Sequence, residues 1–130
     1  MEDKAVCFAI PYPETKRGKL DWNRRFGLNA YWAGKHYRER ARDAKYIHML
    51  TREALKRHGV KPVPFAGPVE VRFRWDDRLD IDNHAALGKM ILDALKKCVV
   101  VDDSPKWVRR VTHEYWDGGQ IGVEVKPAGT

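Results

Sequence analysis

Residues 69–95 read VEVRFRWDDRLDIDNHAALGKMILDAL, and within them the chain changes its period. Val69, Val71, Phe73 and Trp75 alternate with Glu70, Arg72 and Arg74, the period of two that gives a strand one face in a core and one in water. Beyond Asp80-Ile81-Asp82-Asn83, the apolar residues Leu87, Met90, Ile91, Ala94 and Leu95 recur in steps of three and four. That spacing predicts a helix over roughly 84–97, with Asp82 or Asn83 as its N-cap. The switch from strand to helix therefore falls on an acidic motif.

Upstream, Ala44, Ile47, Leu50, Ala54 and Leu55 share one helical face between Tyr37 and His58, with Arg38, Arg42, Lys45, Arg52 and Lys56 on the remainder. Gly59 marks the C-cap region and Pro62 a stop. From Tyr12 to Lys35 no period is sustained, which predicts a long, basic, aromatic loop, and Ala5 to Ile10 reads as a short buried strand closed by Pro11. Downstream, Val99 to Val101 leads into the turn Asp102-Asp103-Ser104-Pro105. Strands follow over Trp107 to Tyr115 and Gln120 to Lys126, joined as a hairpin by Asp117-Gly118-Gly119. With no repeat or linker, the expectation is one α/β (α+β) domain over residues 1–130, a small mixed sheet of about four strands packed with two main helices.

Composition narrows the function classes. Lys and Arg number 25 against 18 Asp and Glu, a net charge of +7 that suits a polyanionic partner such as nucleic acid. Cys7 and Cys98 stand far apart without a zinc-type spacing, so neither a disulfide framework nor a structural zinc site is indicated, and a reducing, cytoplasmic setting is expected. The apolar run at Ala5 to Ile10 is too short for a signal-peptide core or a membrane span. Phosphate-binding glycine motifs and nucleophile elbows are absent, which argues against nucleotide-cofactor and serine-hydrolase chemistry. The five histidines lack a metal-ligand spacing; His84 adjoins the acidic motif, where it either reaches a phosphate or simply occupies the helix's first turn.

The carboxylates carry the chemistry. Asp80 and Asp82, two apart in an extended segment, project to the same side, and the helix after them is long enough to bring Asp102 and Asp103 back beside them. Gathered carboxylates repel one another, and a hard cation such as Mg²⁺ relieves that repulsion while keeping waters for hydrolysis. The alternative is plain capping and turn chemistry at both motifs.

Arg78-Leu79-Asp80-Ile81-Asp82-Asn83, Leu92-Asp93-Ala94-Leu95 and Val101-Asp102-Asp103-Ser104 together resemble the Asp-x-Asp-Asn, Asp-Ala-Leu and Asp-Asp-Ser signatures of RusA-like Holliday-junction resolvases, in that order. The likeness is best over about 69–112 and extends more loosely to Gly27-Leu28-Asn29-Ala30-Tyr31. It implies a small homodimer, of a kind often found in phage or prophage, that uses Mg²⁺, or Mn²⁺ in its place, to cut four-way DNA junctions. Asp80, Asp82 and Asp103 are then the metal ligands, with Asp102 a further candidate. A lysine that such enzymes place four residues after the second acid is Ala86 here. Lys89 lies seven beyond Asp82 on the same helical face, where it either takes over that catalytic role or pairs with Asp93 at i+4. Leu79 stands where a basic residue can precede the first acid, leaving Arg78 to face phosphate.

Arg24, Arg25, Asn29, Lys35, Arg38 and Arg78 are the expected DNA contacts, drawn from a tract in which Lys16, Arg17 and Lys19 also alternate with Trp22, Phe26, Tyr31 and Trp32. The aromatics either stack on unpaired bases or belong to a core or dimer interface, and for Trp32 the core or interface is favoured. Two further functions stay open: a DNA-binding accessory protein that does not cut, and a nuclease for other branched nucleic acids.

Overall fold

The computed structural model describes residues 4–27 and 35–129, so the expectations for Asn29, Tyr31 and Trp32 lie outside the described residues. Strands β1 (Val6–Pro11), β2 (Val69–Trp75), β3 (Val108–Tyr115) and β4 (Gln120–Pro127) form one mixed sheet in the order β1-β4-β2-β3. β4 is antiparallel to both β1 and β2, whereas β3 runs parallel to β2. A parallel neighbour requires a crossover, and the helix over Ala85–Leu95 supplies it between β2 and β3.

Three helices are present among the described residues: α1 (Lys16–Phe26), α2 (Tyr37–Arg57) and α3 (Ala85–Leu95). α2 and α3 pack on each other, and Ile47, Leu55, Leu87, Ile91 and Leu95 share one core with Phe8, Ile10, Val71, Phe73, Trp75 and Val123 from the sheet. β2 alternates as its sequence predicts, with Val69, Val71, Phe73 and Trp75 buried. Its other face carries Arg72 and Arg74 into ion pairs with Glu114 (3.4 and 3.1 Å), while Arg72 also reaches Glu124 (3.8 Å) and Lys126 reaches Glu70 (3.8 Å). No helix among the described residues is long and apolar enough to cross a membrane.

Four local expectations are corrected. The tract after Tyr12 is not all loop: α1 starts where the Thr15 side chain accepts from the Gly18 N–H (2.9 Å), and it is anchored by Trp22 and Phe26, an i,i+4 pair with both rings buried. Its exposed Leu20 obscures the apolar period in the sequence. The Asp117-Gly118-Gly119 turn does not close a hairpin, because β2 lies between β3 and β4 and the turn passes over the end of β2. There Trp116 N–H donates to the Trp75 carbonyl (3.1 Å) and Gly119 N–H to Asp76 Oδ2 (2.7 Å). Asp82 and Asn83 are not an N-cap but sit inside a 3-10 turn, Ile81–His84, that leads directly into α3. Finally, α3 ends at Leu95 rather than 97, since Lys97 turns left-handed (φ 61°) and the Leu95 carbonyl accepts from the N–H groups of Cys98, Val99 and Val100.

Candidate active site

The loop between β2 and the 3-10 turn is held from several sides. Tyr12 Oη accepts from the Asp76 N–H (3.0 Å) and donates to Asp77 Oδ2 (3.3 Å), while the Leu79 N–H donates to Asp77 Oδ1 (3.0 Å). Tyr115 Oη donates to the Leu79 carbonyl. Burial, the largest influence, pushes the Tyr12 phenol well above its ordinary range. Tyr115 is also raised, first by desolvation and then by the negative charges of Asp77, Asp80 and Asp82. Both phenols therefore remain protonated donors at neutral pH.

Beneath the loop lies a buried histidine–carboxylate couple. His84 is fully enclosed, its Nε2 standing 2.8 Å from both oxygens of Asp77 and its Nδ1 3.0 Å from the Ile81 carbonyl. Through its two ring nitrogens His84 thus links the Asp77 carboxylate to the Ile81 carbonyl, a buried histidine–carboxylate couple. His84 stacks on Trp75 (4.4 Å between ring centroids, 20° between planes), and Trp75 Nε1 donates to His113 Nδ1 (3.1 Å). His113 is thus a neutral acceptor; burial first, and the neighbouring His84 second, hold its pKa below the ordinary value. Gly88 lets α3 approach this stack, since a Cβ there would stand 3.1 Å from His113 Cε1 and 3.4 Å from Phe73.

Above this base Asp80 and Asp82 are exposed, and neither carboxylate has a side-chain partner among the described residues. Asp80 is extended (ψ 152°) but Asp82 is in the 3-10 turn, so they do not share one side by strand alternation; what they share is the Tyr115 hydroxyl, on which both charges bear. Asp103 is occupied elsewhere. Lys96 Nζ lies 3.1 Å from Asp103 Oδ2, and this hydrogen bond holds the carboxyl below the usual carboxylate range. Asp102, half-buried, adds no third donor: among the described residues no three His, Cys, Asp or Glu side chains are grouped to hold a metal ion. As donors, Asp80 and Asp82 fit a hard cation that binds through one or two carboxylates and keeps its waters; Asp103 does not join them in this arrangement.

The expected cations divide into two sets. Arg25 Nε contacts Asp43 Oδ1 at 2.5 Å, Lys35 pairs with the same buried carboxylate, and Lys35 Nζ also donates to the Arg25 carbonyl (2.7 Å). Those two cations tie α1 to α2. Arg24, Arg38 and Arg78 are exposed, with Arg38 over the Tyr37 ring at 5.9 Å. Lys89 is likewise exposed, 3.4 Å from Asp93. A hollow of about 450 Å³ opens between α1 and residues 76–78. A larger one, about 920 Å³, runs beside α2 from Arg42 to Lys56 and shares no lining residue with the carboxylate loop.

Sequence reasoning missed Tyr12, Asp77 and Tyr115, and it left His84 between phosphate contact and helix position. Asp77 adjoins the acidic motif, and its seven-residue separation from His84 across a turn was the available signal; neither tyrosine carried one. No protein-family model matches the chain, and no curated protein matches it.

Proposed function

We propose that this chain is a Mg²⁺-dependent endonuclease of the RusA-like kind, a cytoplasmic homodimer whose two sites cut opposed strands of a four-way DNA junction. The observation that carries the reading is the pair of exposed carboxylates, Asp80 and Asp82, without side-chain partners among the described residues, on a loop fixed by Tyr12, Tyr115 and the Asp77–His84 couple. Like charges so placed, in a chain of net charge +7, suit a dication that itself meets phosphate. When bound, Mg²⁺, or Mn²⁺ in its place, supplies an activated water and neutralises charge on the phosphate. Asp80 and Asp82 would hold it, with Asp103 as third ligand on release from Lys96. The buried couple keeps the loop's spacing fixed, so that little reorganisation accompanies the reaction. Arg78 binds phosphate, and Lys89, whose tie to Asp93 is solvent-exposed, stabilises developing negative charge.

The test is single-turnover cleavage of an end-labelled mobile four-way junction, beside flap, duplex and single-stranded substrates, with Mg²⁺, Mn²⁺ and no divalent ion. Paired, symmetric nicks in the junction alone are expected, and only with a divalent ion. A second reading, a protein that binds DNA without cutting it, is favoured by Asp103's pairing with Lys96 and by Ala86 at the position of the lysine that resolvases carry. Retained junction binding without cleavage under either ion would select it, and preference for flaps or RNA would reassign the substrate.

A further inference from the structure

The first turn of α1 carries its charge against the helix dipole, although Arg24 and Arg25 in the last turn suit it. The first turn of a helix favours acids, yet this one has none, and Lys16, Arg17 and Lys19 cluster there instead. Lys16, Lys19 and Asn23 follow one another in steps of three and four, on one face of the helix, and all three line the 450 Å³ hollow. Arg78 stands on the opposite wall, two residues before Asp80. Lys16, Lys19 and Arg78 have no ion-pair partner among the described residues. The acids on the same wall are already engaged: Asp77 accepts from His84, Tyr12 and Leu79, and Asp76 accepts from Gly119. Tyr12, Trp22 and Leu20 supply aromatic and aliphatic walls, with Leu20 55% exposed at the rim. A cationic hollow with an amide and an aromatic wall matches one nucleotide: phosphate for the cations, a base for the ring surface. The volume lies within the range of ligand pockets, about 300–1,000 Å³.

We infer that this hollow is a subsite for one nucleotide of the strand to be cut, unpaired from its partner, with its phosphate on Lys16, Lys19 and Arg78 and its base against Tyr12 and Leu20. That this strand is the one cut rests on the nuclease reading; the binding of a strand nucleotide does not. A first turn that breaks its helix's charge preference beside the carboxylate loop has a reason if the missing anion arrives with the substrate.

The experiment measures binding and cross-linking without cleavage. The full chain, its Lys16→Glu/Lys19→Glu variant and a Lys61→Glu control, each checked for folding by thermal denaturation, are titrated into a fluorescein-labelled single-stranded 12-mer and a four-way junction without divalent ions. A 12-mer bearing 5-iodo-deoxyuridine is then photocrosslinked and the modified peptide is identified. The double variant should lose at least tenfold in affinity for the 12-mer and flatten its salt dependence, by about 0.7 in slope for each phosphate that is no longer neutralised. Lys61→Glu should bind within twofold of wild type, and the cross-link should fall between Tyr12 and Asn23. Unchanged affinity in the double variant, or a cross-link on another element, overturns the subsite. Deoxycytidine monophosphate competing as tightly as the 12-mer would assign the hollow to a free nucleotide and also overturn it. A chain that cross-links here but cuts nothing loses the nuclease reading and keeps the subsite; one that cuts junctions without this cross-link loses only the subsite.

Discussion

At the scale of single residues, Asp80 and Asp82 differ from Asp76 and Asp77 in having no side-chain partner among the described residues. Asp80→Asn or Asp82→Asn should slow single-turnover junction cleavage about a hundredfold or more, roughly 2.7 kcal/mol in the barrier. Junction affinity, measured by anisotropy, should be preserved or slightly increased, because a negative charge facing phosphate is removed. Wild-type cleavage in both variants sinks the assignment. Lys89 is exposed, and its 3.4 Å pair with Asp93 is worth only a few tenths of a kcal/mol. Lys89→Ala should therefore leave urea denaturation within about 0.5 kcal/mol of wild type while slowing cleavage more than about tenfold; a rate within twofold would make it a surface residue only. His113 sets a pH dependence. Its pKa lies below the ordinary 6.5 because burial and His84 disfavour its charged form, so the unfolded chain takes up a proton there before the folded one does. The contribution is complete above about pH 6.5 and is lost as pH falls toward the folded value. In His113→Gln, which can still accept from Trp75, denaturation midpoints should fall less steeply between pH 6.5 and 5 than in wild type. The acidic motif itself is plain in the sequence, but the strand-like spacing read into Asp80 and Asp82 is not what the structure has, because Asp82 lies in the 3-10 turn. The Asp77–His84 couple was not legible there, since burial of both partners is a property of the packed stack on Trp75.

At the scale of elements, strong periods were legible and weak ones were not. The alternation in β2 and the three-and-four spacing in α2 and α3 match the structure because each buries a full face. α1 buries only Trp22 and Phe26 and is otherwise charged, so tertiary anchoring rather than pattern decides it. Much of that anchoring is the ion triad in which Asp43, 4% exposed, meets Arg25 and Lys35. Asp43→Ala would leave two cations without their counter-charge. The cost in urea denaturation should be about 2 kcal/mol, less than for a fully buried pair because the Arg25 side chain is 42% exposed. A loss below about 0.5 kcal/mol would mean that α1 is held by its aromatics alone. The turn at Asp117-Gly118-Gly119 shows the other limit. Its composition correctly marks a reversal, and Gly119 does take the left-handed region (φ 74°), but turn chemistry is silent on whether the two strands touch.

For the whole molecule, charge is distributed unevenly between the two sides of the sheet. On the open face, Arg72, Arg74, Arg110 and Lys126 stand among Glu70, Glu114 and Glu124, so most of the cationic excess lies on α1 and α2. The helical side is thus the expected DNA face. Junction affinity should fall steeply with salt, and reversing the exposed Arg24 and Arg38 to Glu should lower the log–log slope by about 0.9 for each phosphate left without its cation. An unchanged slope would move the DNA-binding surface elsewhere. Arg25, named with Arg24 from the sequence, is the wrong residue for this test, because its reversal would set a carboxylate against Asp43. The strand order has a temporal consequence. β4 is the last strand along the chain but occupies the gap between β1 and β2. During synthesis, β1 and β2 leave the ribosome with that gap empty, and the backbone of Val6–Pro11 has no sheet neighbour until residues 120–127 clear the exit tunnel. The sheet is therefore completed late, by insertion. A nascent chain halted before Gln120 would carry two unsatisfied strand edges into crowded surroundings, the condition under which chaperones are most needed.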